Sequence, residues 1–418
     1  MEVHYLNLFG TAASKEVEQS YDLAVVTPEA LSTRQVAYWP EIKARIVRLL
    51  SASKRRVLLP QDDYTFSSRL DDLAIEAKID TVWTPLPMDS VLYPKAVSRG
   101  VKFMKCLTGY IEDSSLPLYV SHSKSFEDRQ IDLGQRVSAL PSSFGVVGER
   151  KSKITRVMAE EFKARGLRVD VSFDSRDVLI GDEWLRFLGN SRFTVSRKGG
   201  SSIADTQFRL TESLQQLRDL FSWLPESFLS RLASKRGVVY GSWEEVSPRL
   251  FEAAAMGVCQ VLEEDNYLDG ALKPWVHYIP LDSDFGNLEQ IFSFIKQEEQ
   301  VRLMIARSKE ALIDSGEFSY KTFVQYFFKH ELGGEYESDT CAAVTIDLDQ
   351  EPGLVSKAQL SEIKSYFETV NPLKRAFSDK DDGGGFEHLF RDLMRHELLP
   401  ESLTRDWVSL GFHSSKIE

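Results

Sequence analysis

The stretch Ser247–Gly257, SPRLFEAAAMG, sets two side chains of opposite charge into a helix otherwise built of small and apolar residues. Ser247 reads as the N-cap, Pro248 fits a first helical position that needs no N–H partner, and Gly257 can end the helix in the left-handed conformation. Unpaired N–H groups and the positive end of the helix dipole, with Arg249 beside them, suit a phosphate. One turn further, Glu252 can accept hydrogen bonds from a diol such as that of ribose. The two features together raise a nucleotide site; the alternative is a solvated i, i+3 ion pair between Arg249 and Glu252 on an ordinary helix.

Other residues could do chemistry. Asp62 and Asp63 follow the strand RRVLLP, where carboxylates at a strand end can orient a hydroxyl or act as a general base; an N-cap for the next helix explains one of them. In SRFTVSRKGGSS, Gly199 and Gly200 after a strand permit close backbone approach. Ser201 and its neighbour can cap a following helix while donating to an anion, with a plain tight turn as the alternative. DSD at 282–284 and DLD at 347–349 read as turn residues. Cys106, Cys259 and Cys341 are odd in number and far apart, so they build neither a disulfide framework nor a zinc site, and Cys259 falls in a buried strand.

The elements that would hold these residues alternate. DLAVVTP, RRVLLPQ, IDTVWTPL and VKFMKCLTGYI read as strands, with helices EIKARIVRLLSAS and SSRLDDLAIEAK between them, and MEVHYLNLF as an earlier strand. The polar stretch SSLPLYVSHSKSFEDRQ reads as a domain boundary. A second series opens at SFGVVGE, with the helix KSKITRVMAEEFKARG, the strand LRVDVSF, the strand SRFTVS and a long helical region around TESLQQLRDLFSWL. The strands GVVYGS, VCQVL and HYIPL follow, then helices at 287–296 and 297–314. Such alternation implies parallel sheets covered by helices. The expected architecture is α/β, two Rossmann-like domains at 1–125 and 126–335 facing across a cleft, with a connector and C-terminal helices at 336–418. Phe386, Leu389, Phe390, Leu393 and Met394 recur at helical spacing and predict a docking face in that last segment.

With 418 residues the chain can bury two ordinary domain cores. A net charge of −12 argues against nucleic acid as the main partner, because phosphate backbones demand a basic face. MEVHYLNLFG has no basic segment leading into a long apolar run, and no run of about eighteen apolar residues occurs, so a cytoplasmic protein is expected, at most peripheral to a membrane.

Glu244 and Glu252 lie eight residues apart in EEVSPRLFE, with the phosphate-suited turn between them, and AAAMG and a strand follow. This resembles the E-x7-E region of retaining glycosyltransferases of the two-Rossmann GT-B fold, with Glu245 a rival for the first position. The run from Ser247 to Gln290, together with QDDY at 61–64, LTGY at 107–110, GERKSKI at 148–154 and GGSSIAD at 199–205, in that order, resembles bacterial glycosyltransferases of the CgeB-like group, many from polysaccharide clusters. The resemblance implies that Glu252 binds ribose, that Ser247, Arg249 and the helix N-terminus hold the diphosphate, and that Lys151 and Arg136 add positive charge. It also implies that Glu244 contacts the donor sugar, Tyr278 lines the nucleotide pocket and His277 faces the sugar. Gly199, Gly200 and Ser201 would cradle the donor, Asp62, Asp63 and Tyr64 would meet the acceptor, and a catalytic role extends to Asp205. At GGSSIAD the chain departs from the group: Lys198 stands where an acidic residue is favoured, and no glycine follows Asp205.

The implied reaction is sugar transfer from a nucleotide-sugar to a glycan or lipid-linked acceptor. It proceeds with retention, without cofactor or metal, with Lys151 and Arg249 stabilising the leaving phosphates. Two other readings are an epimerase or hydrolase of nucleotide-sugars on the same fold, and a binding subunit that has lost activity.

Overall fold

The computed structural model describes residues 2–4, 20–35, 39–86, 91–137, 144–206, 238–333 and 342–344. All of these fall in one compact unit. The long helical region around TESLQQLRDLFSWL, the C-terminal helices expected within 345–418 with the stripe from Phe386 to Met394, Cys341 and DLD at 347–349 lie outside the described residues.

The strand β1 (Glu2–His4) pairs in parallel with Ala342–Val344. Four parallel strands then form a sheet in chain order, β2 (Tyr21–Val26), β3 (Ser53–Leu58), β4 (Thr81–Thr84) and β5 (Lys102–Lys105). Their connections carry α1 (Pro28–Ser32), α2 (Trp39–Leu50), α3 (Ser67–Glu76) and α4 (Pro94–Ser98). The period of two puts Leu23, Val57, Trp83 and Met104 on one face of this sheet.

The polar stretch read as a boundary contains a helix, α5 (Leu116–His122), and is followed at once by β6 (Ile131–Arg136). That strand escapes the sequence reading because two of its residues, Asp132 and Gln135, are polar, yet both are buried. Asp132 accepts from Arg168 and pairs with Arg192, and Gln135 donates to the Val195 carbonyl, so burial leaves these groups satisfied. The helix expected at KSKITRV begins earlier, in GVVGE: α6 runs from Gly145 to Ala164, and Gly145, at φ +59°, supplies the left-handed entry.

From there the chain runs through β7 (Val169–Ser172), α7 (Asp182–Gly189), β8 (Ser191–Ser196), β9 (Gly199–Asp205), β10 (Val238–Glu245) and α8 (Arg249–Ala255). It continues through β11 (Cys259–Glu263), β12 (Ile279–Leu281), α9 (Leu288–Ile295) and α10 (Glu298–Lys309). The second sheet has the order β12-β11-β8-β6-β7, all parallel. Its core sets Leu133, Phe193, Val195, Val261 and Ile279 from the strands against Ile154, Met158 and Phe162 of α6 and Ile291, Phe292 and Met304 of α9 and α10. Because β7 lies on one side of β6 and β8 on the other, the order reverses there, and the carboxyl ends of β6 and β8 flank the crevice where open α/β sheets take ligands.

GGSS is neither a loop nor a helix cap, for β9 pairs antiparallel with β10 in a two-stranded ribbon. Gly200, at φ +133°, lies so close to the partner strand that a Cβ would stand 2.0 Å from the Trp243 carbonyl oxygen. The last helix among the described residues, α11 (Tyr320–Leu332), returns to the first sheet. Phe327 packs with Val57, Trp83 and Cys106. Glu331 is buried beneath it and accepts from the Trp83 indole at 2.7 Å and Arg55 at 2.7 Å.

Candidate functional site

Helix α8 ends as its sequence dictates and begins one residue later than it suggests. Gly257 is left-handed at φ +63°, with Val258 N–H donating to Ala253 O at 2.9 Å and Gly257 N–H to Ala254 O at 3.1 Å, the paired bonds of a Schellman stop. At the other end Pro248 occupies the capping position at φ −52°, and Ser247 makes no side-chain cap; its carbonyl accepts from Leu250 N–H at 3.0 Å. Pro248 is held from outside, since Gly109 is packed so close that a Cβ there would meet its Cγ at 2.8 Å. The Thr108 hydroxyl donates to the Val246 carbonyl, and Gln61 donates to the Thr108 carbonyl at 2.7 Å. QDDY, LTGY and the start of α8, separated in sequence, are thus joined in space.

Arg249 and Glu252 form no ion pair within 4 Å. The Arg249 guanidinium donates to the Arg136 carbonyl, at the carboxyl end of β6, at 2.8 Å and lies over the Trp184 ring at 4.9 Å. Glu252 accepts from the Trp184 indole N–H at 2.8 Å. Arg136 itself pairs with Asp170 at 2.8 Å and lies 4.1 Å over Phe187, so its charge is already engaged. Trp184, in DEWLRFLG, carries no signal in the sequence, because a tryptophan among apolar helix residues reads as core.

Lys151 stands in the second turn of α6, the helix that follows β6. Burial, and then the charges of Arg249 and Arg197, push its pKa down to about 8. Its ammonium has no carboxylate or hydrogen-bond acceptor among the described residues. Arg197, just past β8, has partners: it donates to Glu244 at 2.5 Å and to Glu263, at the end of β11, at 2.7 Å. Arg150 holds the other oxygen of Glu263 at 2.5 Å. Glu244 is therefore tied to Arg197, and it accepts from Ser242 at 2.8 Å as well. The rival Glu245 points elsewhere, toward Lys105 at 3.7 Å, and burial raises its pKa. Lys151, Arg249 and Arg197, from three elements, converge at the carboxyl edge of the second sheet, where charge is drawn out of water and only part of it is neutralised.

The other expected residues are scattered. The Ser201 hydroxyl is buried and donates to the Ile203 carbonyl at 2.7 Å, and a Cβ on Gly199 would meet nothing within 4 Å. Lys198 pairs with Asp265 at 3.1 Å. Asp205 is buried at the end of β9, its amide donating to Tyr64 O at 3.1 Å while its carbonyl accepts from Phe66 N–H at 3.2 Å. It therefore lies beside the QDDY turn instead of the lysine. Tyr278 is fully buried, its hydroxyl donating to the Asp265 carbonyl at 3.3 Å, so it belongs to the core and does not line an open pocket; burial pushes its pKa up to about 12. His277 accepts the Lys273 N–H at 2.9 Å through Nδ1, and burial lowers its pKa, which makes it a neutral turn-holding imidazole.

In the QDDY turn the two aspartates part company. Asp63 is fully buried and accepts from the Tyr93 hydroxyl at 2.7 Å, and burial raises its pKa, so it cannot meet an acceptor from solvent. Asp62 is exposed, at φ +52°, and accepts from the buried Tyr64 hydroxyl at 2.6 Å. The turn is nailed down by Arg34, itself buried, whose guanidinium donates to the carbonyls of Leu31, Gln61, Asp62 and Thr65, each at 2.9 Å. A buried arginine spent entirely on carbonyls leaves no trace in sequence periodicity.

Among the described residues no group of three or more His, Cys, Asp or Glu is placed to hold a metal ion, and no helix is long and apolar enough to cross a membrane. In DSD, Asp284 accepts the Gly286 N–H at 2.9 Å, as a turn residue does.

No family model matches the sequence, and no curated protein does. Among solved structures the chain is similar to Anabaena Alr3699/HepE in complex with UDP-glucose, at 11% identity and TM-score 0.42, over 77% of this chain and 81% of that one. A glycosyltransferase from Rickettsia africae matches at 11% identity and TM-score 0.30, over 76% of this chain and 100% of that one. The pneumococcal O-GlcNAc transferase GtfA in complex with UDP and GlcNAc matches at 13% identity and TM-score 0.36, over 77% and 59% of the two chains.

Proposed function

We propose that the chain is a glycosyltransferase that takes a nucleotide-activated sugar and passes it, with retention, to a glycan or glycoconjugate hydroxyl, in the setting of bacterial surface polysaccharide synthesis. The observation that carries the reading is Lys151: an ammonium drawn partly out of water, beside Arg249 and Arg197, with no anion among the described residues to answer it. Such a group is costly to fold and is stabilised by an anion entering from outside. The site lies at the carboxyl ends of parallel strands beside the point where strand order reverses, where nucleotides bind in such sheets.

In this reading the diphosphate rests on Lys151 and Arg249, and Glu252 accepts from the ribose. As the sugar–phosphate bond breaks, negative charge grows on the leaving phosphate, and two fixed cations meet it without reorganising; groups of this kind supply several kcal/mol of barrier reduction. Glu244 acts through its pairing with Arg197, which holds the neighbouring guanidinium in place. Asp62, exposed and oriented by Tyr64, is the carboxylate available to an acceptor hydroxyl. No step calls for a metal or a protein nucleophile.

The test is a calorimetric titration of UDP, GDP, CMP and dTDP into the wild type and Glu252→Ala. Saturable binding of one nucleotide, weakened by the substitution, supports the donor site and names the donor class. Four flat titrations against folded protein would remove it.

A further inference from the structure

Arg249 and Glu252 are three residues apart on α8, the spacing at which opposite charges on a helix ordinarily pair. Here they are kept apart, and one side chain from another helix does it. The face of Trp184, from α7, lies under the Arg249 guanidinium at 4.9 Å, while the edge of the same indole donates its N–H to Glu252 Oε2 at 2.8 Å. Phe187, on the same helix, packs against Trp184 at 5.8 Å and takes the Arg136 guanidinium at 4.1 Å on its own ring.

The indole uses one of the roughly four lone-pair sites of the carboxylate, and the Arg136 carbonyl uses one of the guanidinium's five donors. Both groups are therefore oriented while most of their hydrogen-bonding capacity stays available. A direct Arg249–Glu252 pair would consume that capacity and cancel the positive charge next to Lys151.

We infer that Trp184 is a positioning residue of the nucleotide site: it separates Arg249 from Glu252, leaving the guanidinium for phosphate and aiming the carboxylate at a ribose hydroxyl. This rests on the donor-site reading above. It adds to that reading that discrimination between ribose and deoxyribose depends on an indole N–H that touches neither.

Trp184→Phe keeps an aromatic face for Arg249 and removes the N–H; Trp184→Ala removes both. The full-length chain and these variants, with Glu252→Ala and the Trp184→Phe/Glu252→Ala double variant, would be titrated with UDP, GDP, their 2′-deoxy counterparts and inorganic pyrophosphate. The wild type should favour the ribonucleotide over its deoxy form. Trp184→Phe should lose roughly tenfold in ribonucleotide affinity, the scale of one hydrogen bond to a charged group, with deoxynucleotide and pyrophosphate binding unchanged. In Trp184→Ala, Arg249 turns to Glu252 and pyrophosphate binding falls too. The double variant should bind no more weakly than Glu252→Ala alone.

A Trp184→Phe protein that keeps the wild-type ribose preference overturns the inference and leaves the donor site standing. If the wild type binds none of the nucleotides, the donor-site reading fails, and a ligand-free measurement then decides the role of Trp184. Melting temperatures of the two single variants and the double variant should be less than additive if the indole–carboxylate bond exists in solution, and strict additivity would refute it.

Discussion

Replacing Lys151 by Met should make the protein more stable and less able to bind its ligand. A lysine whose native pKa sits near 8 against an ordinary 10.5 disfavours folding at neutral pH by about 3 kcal/mol, at 1.36 kcal/mol for each unit. Water reaching the partly exposed ammonium reduces this, so a gain of about 1–3 kcal/mol is expected from a methionine that keeps the apolar stem. The pH dependence has a definite sign. The folded pKa lies below the unfolded one, so the unfolded chain holds the proton more tightly; the penalty is fully present below pH 8 and fades as pH rises from about 8 to 10.5. The advantage of Lys151→Met should therefore be largest at pH 7 and shrink by pH 10. Over the same substitution, nucleoside diphosphate binding should weaken by roughly tenfold to a hundredfold, the loss of one charge-assisted contact. Denaturant melts at both pH values, with calorimetry at pH 7, measure all of this. A Lys151→Met protein that is less stable than the wild type, or that binds diphosphates equally well, would refute the argument that the lysine waits for an anion.

Other consequences can be checked separately. Glu331→Ala leaves Arg55 and the Trp83 indole without their acceptor beneath α11 and should destabilise by about 2–4 kcal/mol in a denaturant melt, with nucleotide affinity unchanged. Gly200→Ala sets a methyl 2.0 Å from the Trp243 carbonyl oxygen at a φ of +133° and should cost at least about 2 kcal/mol, seen as a lowered melting temperature. Asp62→Asn should slow transfer to an acceptor while leaving nucleotide affinity unchanged, measured by initial rates alongside calorimetry. An effect on affinity alone would place Asp62 with the donor.

Much of this architecture is legible in the sequence, and the failures share a cause. The strands β2 to β5 and β11 announce themselves because their apolar runs are bounded by turns, and the stop at Gly257 because only a left-handed residue closes that helix. β6 does not, because Asp132 and Gln135 break its apolar pattern while being satisfied by Arg168, Arg192 and the Val195 carbonyl, partners that sequence neighbours do not reveal. GGSS reads as a turn by its glycines, yet Gly200 is there for close approach between two strands. At the candidate site, Arg249, Glu252 and Lys151 could be named from motif and resemblance. Their organisers could not: Trp184 and Arg197 act through contacts between elements remote in the chain, as Arg34 does at the QDDY turn, and a local pattern carries no record of these. Asp63 and Tyr278 illustrate the reverse, polar residues in suggestive motifs that folding takes into the core.

The Lys151 ammonium, without an anion among the described residues, is one that a diphosphate would complete, and proton linkage reports on it directly. Calorimetric titration of the nucleotide that binds, at pH 8.5–9 in two buffers of different ionisation enthalpy, counts the protons taken up. The diphosphate is fully ionised there, and the part of the uptake that Lys151→Met abolishes is the lysine's. With Lys151 near pH 8 in the free protein and driven upward by the bound anion, the wild type should take up close to one proton and Lys151→Met none. Nucleotide binding whose affinity and proton uptake are both the same in the wild type and in Lys151→Met would mean that the phosphates lie elsewhere and that the proposed site is wrong.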